Sequence, residues 1–196
     1  MDITAGGIRQ LDWLMNFNDV GNVTEGFDPD GNEARGYFDE QGLPIRYNDP
    51  LGRDWHWNYD RAGRVTITTD GREIGTAGVF DANGNEIIGS GPFIGNPSLI
   101  DGVGAVRTEY DPLGREIRKE IICNASFELV ENTALGKRYV LVDADAATAY
   151  IALTYDAADR LTAVRGLNGE VTRYTYNADN QITQVTYPDG NALERT

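Results

Sequence analysis

The chain is poor in the side chains that usually carry chemistry. Among 196 residues there is one histidine, one cysteine and three serines. A lone Cys123, in the apolar run "EIICNA", excludes a disulfide framework and a cysteine-based metal cluster, and it reads as a buried small hydrophobe. His56 stands beside Trp57 and Asn58, and none of Ser90, Ser98 and Ser126 lies in G-x-S-x-G, so a Ser-His-Asp triad has no support. Basic clusters are absent beyond "RK" at 118 and "KR" at 137. With 17 basic against 31 acidic residues and a formal charge of -14, nucleic acid and anionic lipid are disfavoured partners, because both need a basic face. No apolar run approaches the roughly 18 residues that span a bilayer. The opening "MDITAGGIRQ" also lacks the charged-then-apolar pattern of a signal peptide.

What the chain does have is 23 glycines, many Asp and Asn residues, and Tyr, Val, Ile and Thr between them. That mixture describes short strands joined by tight turns. One phrase recurs: an aromatic, an acid or amide, two linkers, then Gly. It opens at Phe17, Phe27 (with Asp28 and Gly31), Phe38 (Asp39, Gly42), Tyr59 (Asp60, Gly63, Arg64), Phe80 (Asp81, Gly84) and Tyr110 (Asp111, Gly114, Arg115). Degenerate copies open at Tyr155 with Asp156 and at Tyr176, and "YNDPLGRDW" from Tyr47 carries one extra residue. The unit is about ten residues, a strand plus a turn, with a double unit near 21.

Each part of the phrase has a mechanical reason. The Asp accepts bonds from backbone N–H groups two or three residues on, Pro112 presets φ, and Gly114 takes the positive φ at which the chain reverses. In "DWHWNYD" the two-residue strand period puts Trp55, Trp57 and Tyr59 on one face. In "EVTRYTYN" it aligns Thr172, Tyr174 and Tyr176. This predicts a cross-strand aromatic ladder worth roughly 0.2 to 1 kcal/mol per pair.

The expected fold is all-β: repeated antiparallel β-hairpins forming a curved, spiralling sheet strip. We divide the chain into an N-terminal lead-in (1–16), repeats (17–88), a Gly/Pro-rich loop or insertion (89–109) and further repeats (110–196) with a divergent stretch at 119–153. Within that stretch "DADAATAYIAL" is open to a short helix capped by Asp143 or Asp145, although its flanks favour strand. Neither "DPDGN" nor "DADA" satisfies the spacing of a calcium loop, so no metal, cofactor or catalytic residue is assigned.

The phrase resembles the RHS/YD-repeat proteins, through "YDPLGREI", "YDRAGRVT" and the double unit at 155–185. The resemblance implies a sheet strip that spirals into a hollow shell around a C-terminal toxin, as in bacterial polymorphic toxins, type VI secretion effectors and insecticidal toxin complexes. It therefore implies a non-enzymatic structural segment that encloses or chaperones an effector. Its partners would be the rest of a larger shell and the toxin cargo, with self-association possible through strand edges and with no nucleic acid and no membrane span. The implied location is bacterial: cytoplasmic before specialised secretion, then extracellular or inside a target cell. Nothing matches the C-terminal autoprotease plug of known relatives, so self-cleavage is not carried over. The alternative is a cell-surface or wall-associated recognition module in which Trp55 and Trp57 stack on carbohydrate.

Overall fold

The computed structural model describes residues 14–28, 30–95, 97–132 and 136–194; the expected lead-in therefore lies largely outside the described residues. Turn chemistry every ten residues leaves the chain little choice but to fold as consecutive hairpins. Strands β1 (Leu14–Phe17), β2 (Val23–Phe27), β3 (Glu33–Phe38), β4 (Pro44–Asn48), β5 (Asp54–Tyr59), β6 (Val65–Thr69) and β7 (Ile74–Phe80) pair antiparallel, each with the next. The far side of β7 is shared. Strand β8 (Glu86–Ser90) takes Gly78–Phe80, and the short β9 (Phe93–Ile94) takes Ile74 and Gly75.

The strip continues from β8 into β10 (Leu99–Tyr110), which pairs along its length with the 17-residue β11 (Glu116–Asn132). Strand β11 is a fork. Its second half carries β12 (Gly136–Ala144), while its first half carries β13 (Ala149–Tyr155). From β13 the hairpins resume through β14 (Leu161–Arg165), β15 (Val171–Tyr176), β16 (Ile182–Thr186) and β17 (Ala192–Glu194). The all-β expectation holds, and among the described residues there is no helix.

One expectation changes, and the helix-or-strand alternative resolves to the favoured strand. Residues 89–109, read as a loop or insertion, hold the end of β8, all of β9 and most of β10, and place Phe93 and Ile100 in the core at 7% and 2% exposure. Their glycines serve close approach: a Cβ on Gly91 would sit 2.7 Å from the Gly104 carbonyl oxygen. "DADAATAYIAL" forms strand from Ala149, because Tyr150 and Ile151 pair across to Glu120 and Lys119.

The divergent stretch supplies the core. The second half of β11 with β12 leaves the strip as a flap, and β12 lies against β5, β6 and β7. Tyr139 of β12 is fully buried, meets the Phe93 ring edge-on at 5.3 Å, and its hydroxyl donates to the Pro97 carbonyl at 2.7 Å. Ile67, Ile88, Ile122 and Phe127 close around it. Burying such side chains stabilises by about 1.5 to 3 kcal/mol each. Thr66 Oγ1 ties the two layers together by donating to the Lys137 carbonyl at 2.6 Å. Cys123 is exposed rather than buried, since strand alternation turns Ile122 inward and its neighbour outward.

Candidate functional site

The feature that the sequence repeats, and that the fold brings together, is the row of turns along one edge of the strip. Consecutive hairpins turn at alternate edges, so the copies 21 residues apart meet. The turns at 18–21, 39–42, 60–63, 81–84, 111–114, 156–159 and 177–180 share one edge; those at 28–31, 49–52, 70–73, 166–169 and 187–190 share the other. Phe27, Asp28 and Gly31 therefore belong to the second edge and not to the series of Phe38 and Tyr59.

One unit shows the construction. Gly63 N–H donates to the Asp60 carbonyl and Asp60 N–H to the Arg64 carbonyl, each at 3.0 Å. Asp60 Oδ1 accepts from the Ala62 and Arg64 N–H groups at 2.9 and 3.0 Å. The carboxylate thus serves the N–H groups two and four residues on, rather than two or three. The glycine takes φ of 75°, and its counterparts Gly31, Gly42, Gly84 and Gly114 take 84°, 82°, 94° and 80°. This is the three-residue hairpin with a left-handed last position. Each repeat aromatic of the first edge then sits at a β-bulge: Tyr59 faces Val65 while Asn58 faces Ile67, which leaves Thr66 unpaired. The same shift occurs at Phe17, Phe38, Phe80, Tyr110, Tyr155 and Tyr176.

The arginine after the turn joins one unit to the next. Arg64 Nε donates to Asp60 Oδ2 at 2.6 Å, its guanidinium lies 4.9 Å from the Phe80 ring centroid, and Nη1 donates to the Asp81 carbonyl at 3.1 Å. Arg160 repeats this on Asp156, Tyr176 and the Asn177 carbonyl. Arg115 does so on Asp111 and Tyr155, reaching Asp159 Oδ1 at 2.5 Å. In return, tyrosine hydroxyls reach back to the preceding unit: Tyr59 to the Pro44 carbonyl at 2.7 Å, Tyr110 to Glu86 at 3.1 Å and Tyr176 to Leu161 at 2.7 Å. Each cation–π contact is worth about 0.5 to 1 kcal/mol.

Electrostatics follow from these contacts. Burial raises the Asp60 pKa, but the Arg64 side chain and the N–H groups of Arg64 and Ala62 outweigh it and hold the carboxyl below its usual value. The Arg160 N–H and side chain lower Asp156, and the Asn85 side chain lowers Asp81. Burial raises the Tyr59 and Tyr110 hydroxyls.

The predicted aromatic ladder is realised differently. Tyr47 and Trp55 pair across strands at 5.7 Å, but the commoner partner of a ring is an arginine. Trp55 is no free platform: it has Tyr47, the Arg53 guanidinium at 5.4 Å and the backbone of Gly71 packed on it. Trp57 is half-buried opposite Thr68. Sequence reading missed the second-edge turns at 70–73 and 166–169, because Glu73 and Gly166 occupy the positions of the motif glycine and aspartate. The surviving signal was the four-residue interval from turn opener to following strand. Among the described residues no group of three or more His, Cys, Asp or Glu side chains is placed to hold a metal ion, and no helix is long and apolar enough to cross a membrane.

Comparison with known families matches the RHS repeat to residues 38–73 and 155–192. Those two segments carry the RHS repeat. Both matched segments hold turns of both edges, and the flap lies between them. No curated protein matches the chain. Similar solved structures include the Photorhabdus luminescens Tc holotoxin pore with a mutated TccC3, at 14% identity and a TM-score of 0.44 over 94% of this chain. A TcdB2-TccC3-Cdc42 crystal structure is similar at 15% identity and a TM-score of 0.34 over 93%. The chain spans 12% of the length of each.

Proposed function

We propose that this chain is a structural wall segment of an RHS-type toxin shell, whose work is to help enclose an effector polypeptide and keep it inactive until delivery. The observation that carries the reading is the edge lattice, made by an arginine at three of the six steps along that edge. Arg64 on Phe80, Arg115 on Tyr155 and Arg160 on Tyr176 join unit to unit, and the second of these steps runs straight past the flap. A lattice that hands each arginine to the next aromatic is a device for extending a sheet, and its conspicuous side chains are spent on one another. The reading places the chain in a bacterial toxin of the type VI or toxin-complex kind, held in the cytoplasm before specialised secretion. Its partners would be the remaining shell and the cargo.

The test uses the full natural polypeptide that contains this segment. Deleting residues 155–175 removes one double unit, and limited proteolysis then follows the effector. Cargo that becomes protease-sensitive in the deletion and stays protected in the parent supports the reading. Equal protection in both overturns it.

A further inference from the structure

The charge of -14 is not spread evenly over the strip. On the face that the flap rises from, directly opposed residues share a side, and the register runs Arg107, Glu120, Tyr150 across β10, β11 and β13. The adjoining row runs Arg118, Ala152, Arg165 across β11, β13 and β14, and Ala163 then opposes Arg173 on β15. Within five neighbouring strands, about 19 Å at 4.8 Å spacing, this face gathers Arg107, Arg118, Arg165 and Arg173 against Glu109 and Glu120. The balance of the whole chain is reversed here.

The cluster is pre-arranged. Arg118 and Arg165 hold Tyr150 between them, each guanidinium 3.8 Å from the ring centroid. Glu120 is largely buried and is shared by Arg107 at 3.2 Å and Arg118 at 2.9 Å. Arg165 bonds only to the Tyr150 and Gly166 carbonyls, and Arg173 is exposed with no acidic partner among the described residues. Ala152 and Ala163 leave a low floor between the guanidinium groups. Guanidinium groups with carboxylate-binding edges still unpaired, fixed over an aromatic and flanking a shallow trough, match a row of carboxylates.

We propose that this face docks an acidic polypeptide segment, lying across β10, β11, β13, β14 and β15 beside the flap, with carboxylates on Arg165 and Arg173. The patch length suits a segment of about six extended residues at 3.3 Å each. On the wall reading, such a segment would belong to the cargo; the binding measurement needs no cargo, so the two readings fail separately.

Fluorescence anisotropy of a labelled hexaglutamate peptide on the full chain tests this at low ionic strength. We expect saturable binding, weakened about fivefold by Arg173→Glu and largely unchanged by Arg61→Glu, which makes the same charge change on an exposed turn. Arg165→Lys, which keeps the charge, should retain more binding than Arg165→Gln, with thermal unfolding used to confirm that each variant is folded. No binding by the parent chain overturns the proposal. Equal weakening by Arg173→Glu and Arg61→Glu also overturns it, because it reports only net charge. An oligothymidylate of similar length that binds as tightly as the peptide overturns the choice of a polypeptide.

Discussion

At a single position of the turn, the fold asks for a backbone that most side chains resist. Gly114 meets that demand at φ of 80°, with nothing within 4 Å of where a Cβ would stand, so a substitution there is opposed by backbone strain alone. Glu73 occupies the same left-handed position at 63° without the shape for it, and Asp159 and Asn180 do so with side chains better suited to it. Two mirror-image substitutions follow. Gly114→Val should cost about 1 to 3 kcal/mol, while Glu73→Gly should gain about 0.5 to 1 kcal/mol as the left-handed penalty is relieved. Denaturant titration of both variants checks the pair; a destabilised Glu73→Gly would mean that the Glu73 side chain contributes more than its backbone costs.

At the scale of elements, the flap decides how much core the protein has. Tyr139 is the pin, fully buried and bonded through its hydroxyl to Pro97. Tyr139→Ala should cost about 3 to 5 kcal/mol and release β12 from β5–β7, seen as faster amide exchange in β12 while β14–β16 keep their protection. Tyr139→Phe, which loses only the hydroxyl bond, should cost about 1 kcal/mol. This is also where sequence reading thinned out. The hairpins at Tyr59, Tyr110 and Tyr155 were legible because one local interaction, Asp to its own turn, is written within five residues. The flap was not, because Thr66 and Lys137 meet over 71 residues and nothing local in "KRYVLVDAD" states which face it will cover. The loop reading of 89–109 failed for a related reason: glycine marks turns and close strand approach alike. The arginine after the turn lay in plain view as "GR", yet its partner is the aromatic of the next unit on that edge, which only pairing reveals.

For the whole molecule, acid should act through many small terms of one sign. Asp28, Asp49, Asp60, Asp70, Asp81, Asp111 and Asp156 all have carboxyl groups held below their usual value in the folded chain. A depressed folded pKa contributes stability that is present above the unfolded value of about 3.9 and is lost as pH falls through the folded one. Tm should therefore stay level from neutral pH to about pH 5 and fall steeply below about pH 4. A Tm that rises on acidification would show that relief of the repulsion within a chain of charge -14 outweighs the turns. Length gives a second constraint. Strands β9 and β12 branch off the strip, so its path is about 67 Å at 4.8 Å a strand. Closed on itself that path would be about 21 Å across, too narrow for a folded domain of radius of gyration near 13 Å. Enclosing a folded domain would take more strands than these.

The fork in β11 separates two things that a repeat protein usually keeps tied, the number of residues in the chain and the phase of its sheet. Ile121 sits opposite Ala149, and Arg115 still finds Tyr155, although a whole extra hairpin is threaded between them. A change of length between Ile122 and Thr148 therefore need not displace any later repeat, so long as Ile122, Phe127 and Tyr139 keep their places in the core. Novelty can accumulate at that point while the sheet on either side keeps count.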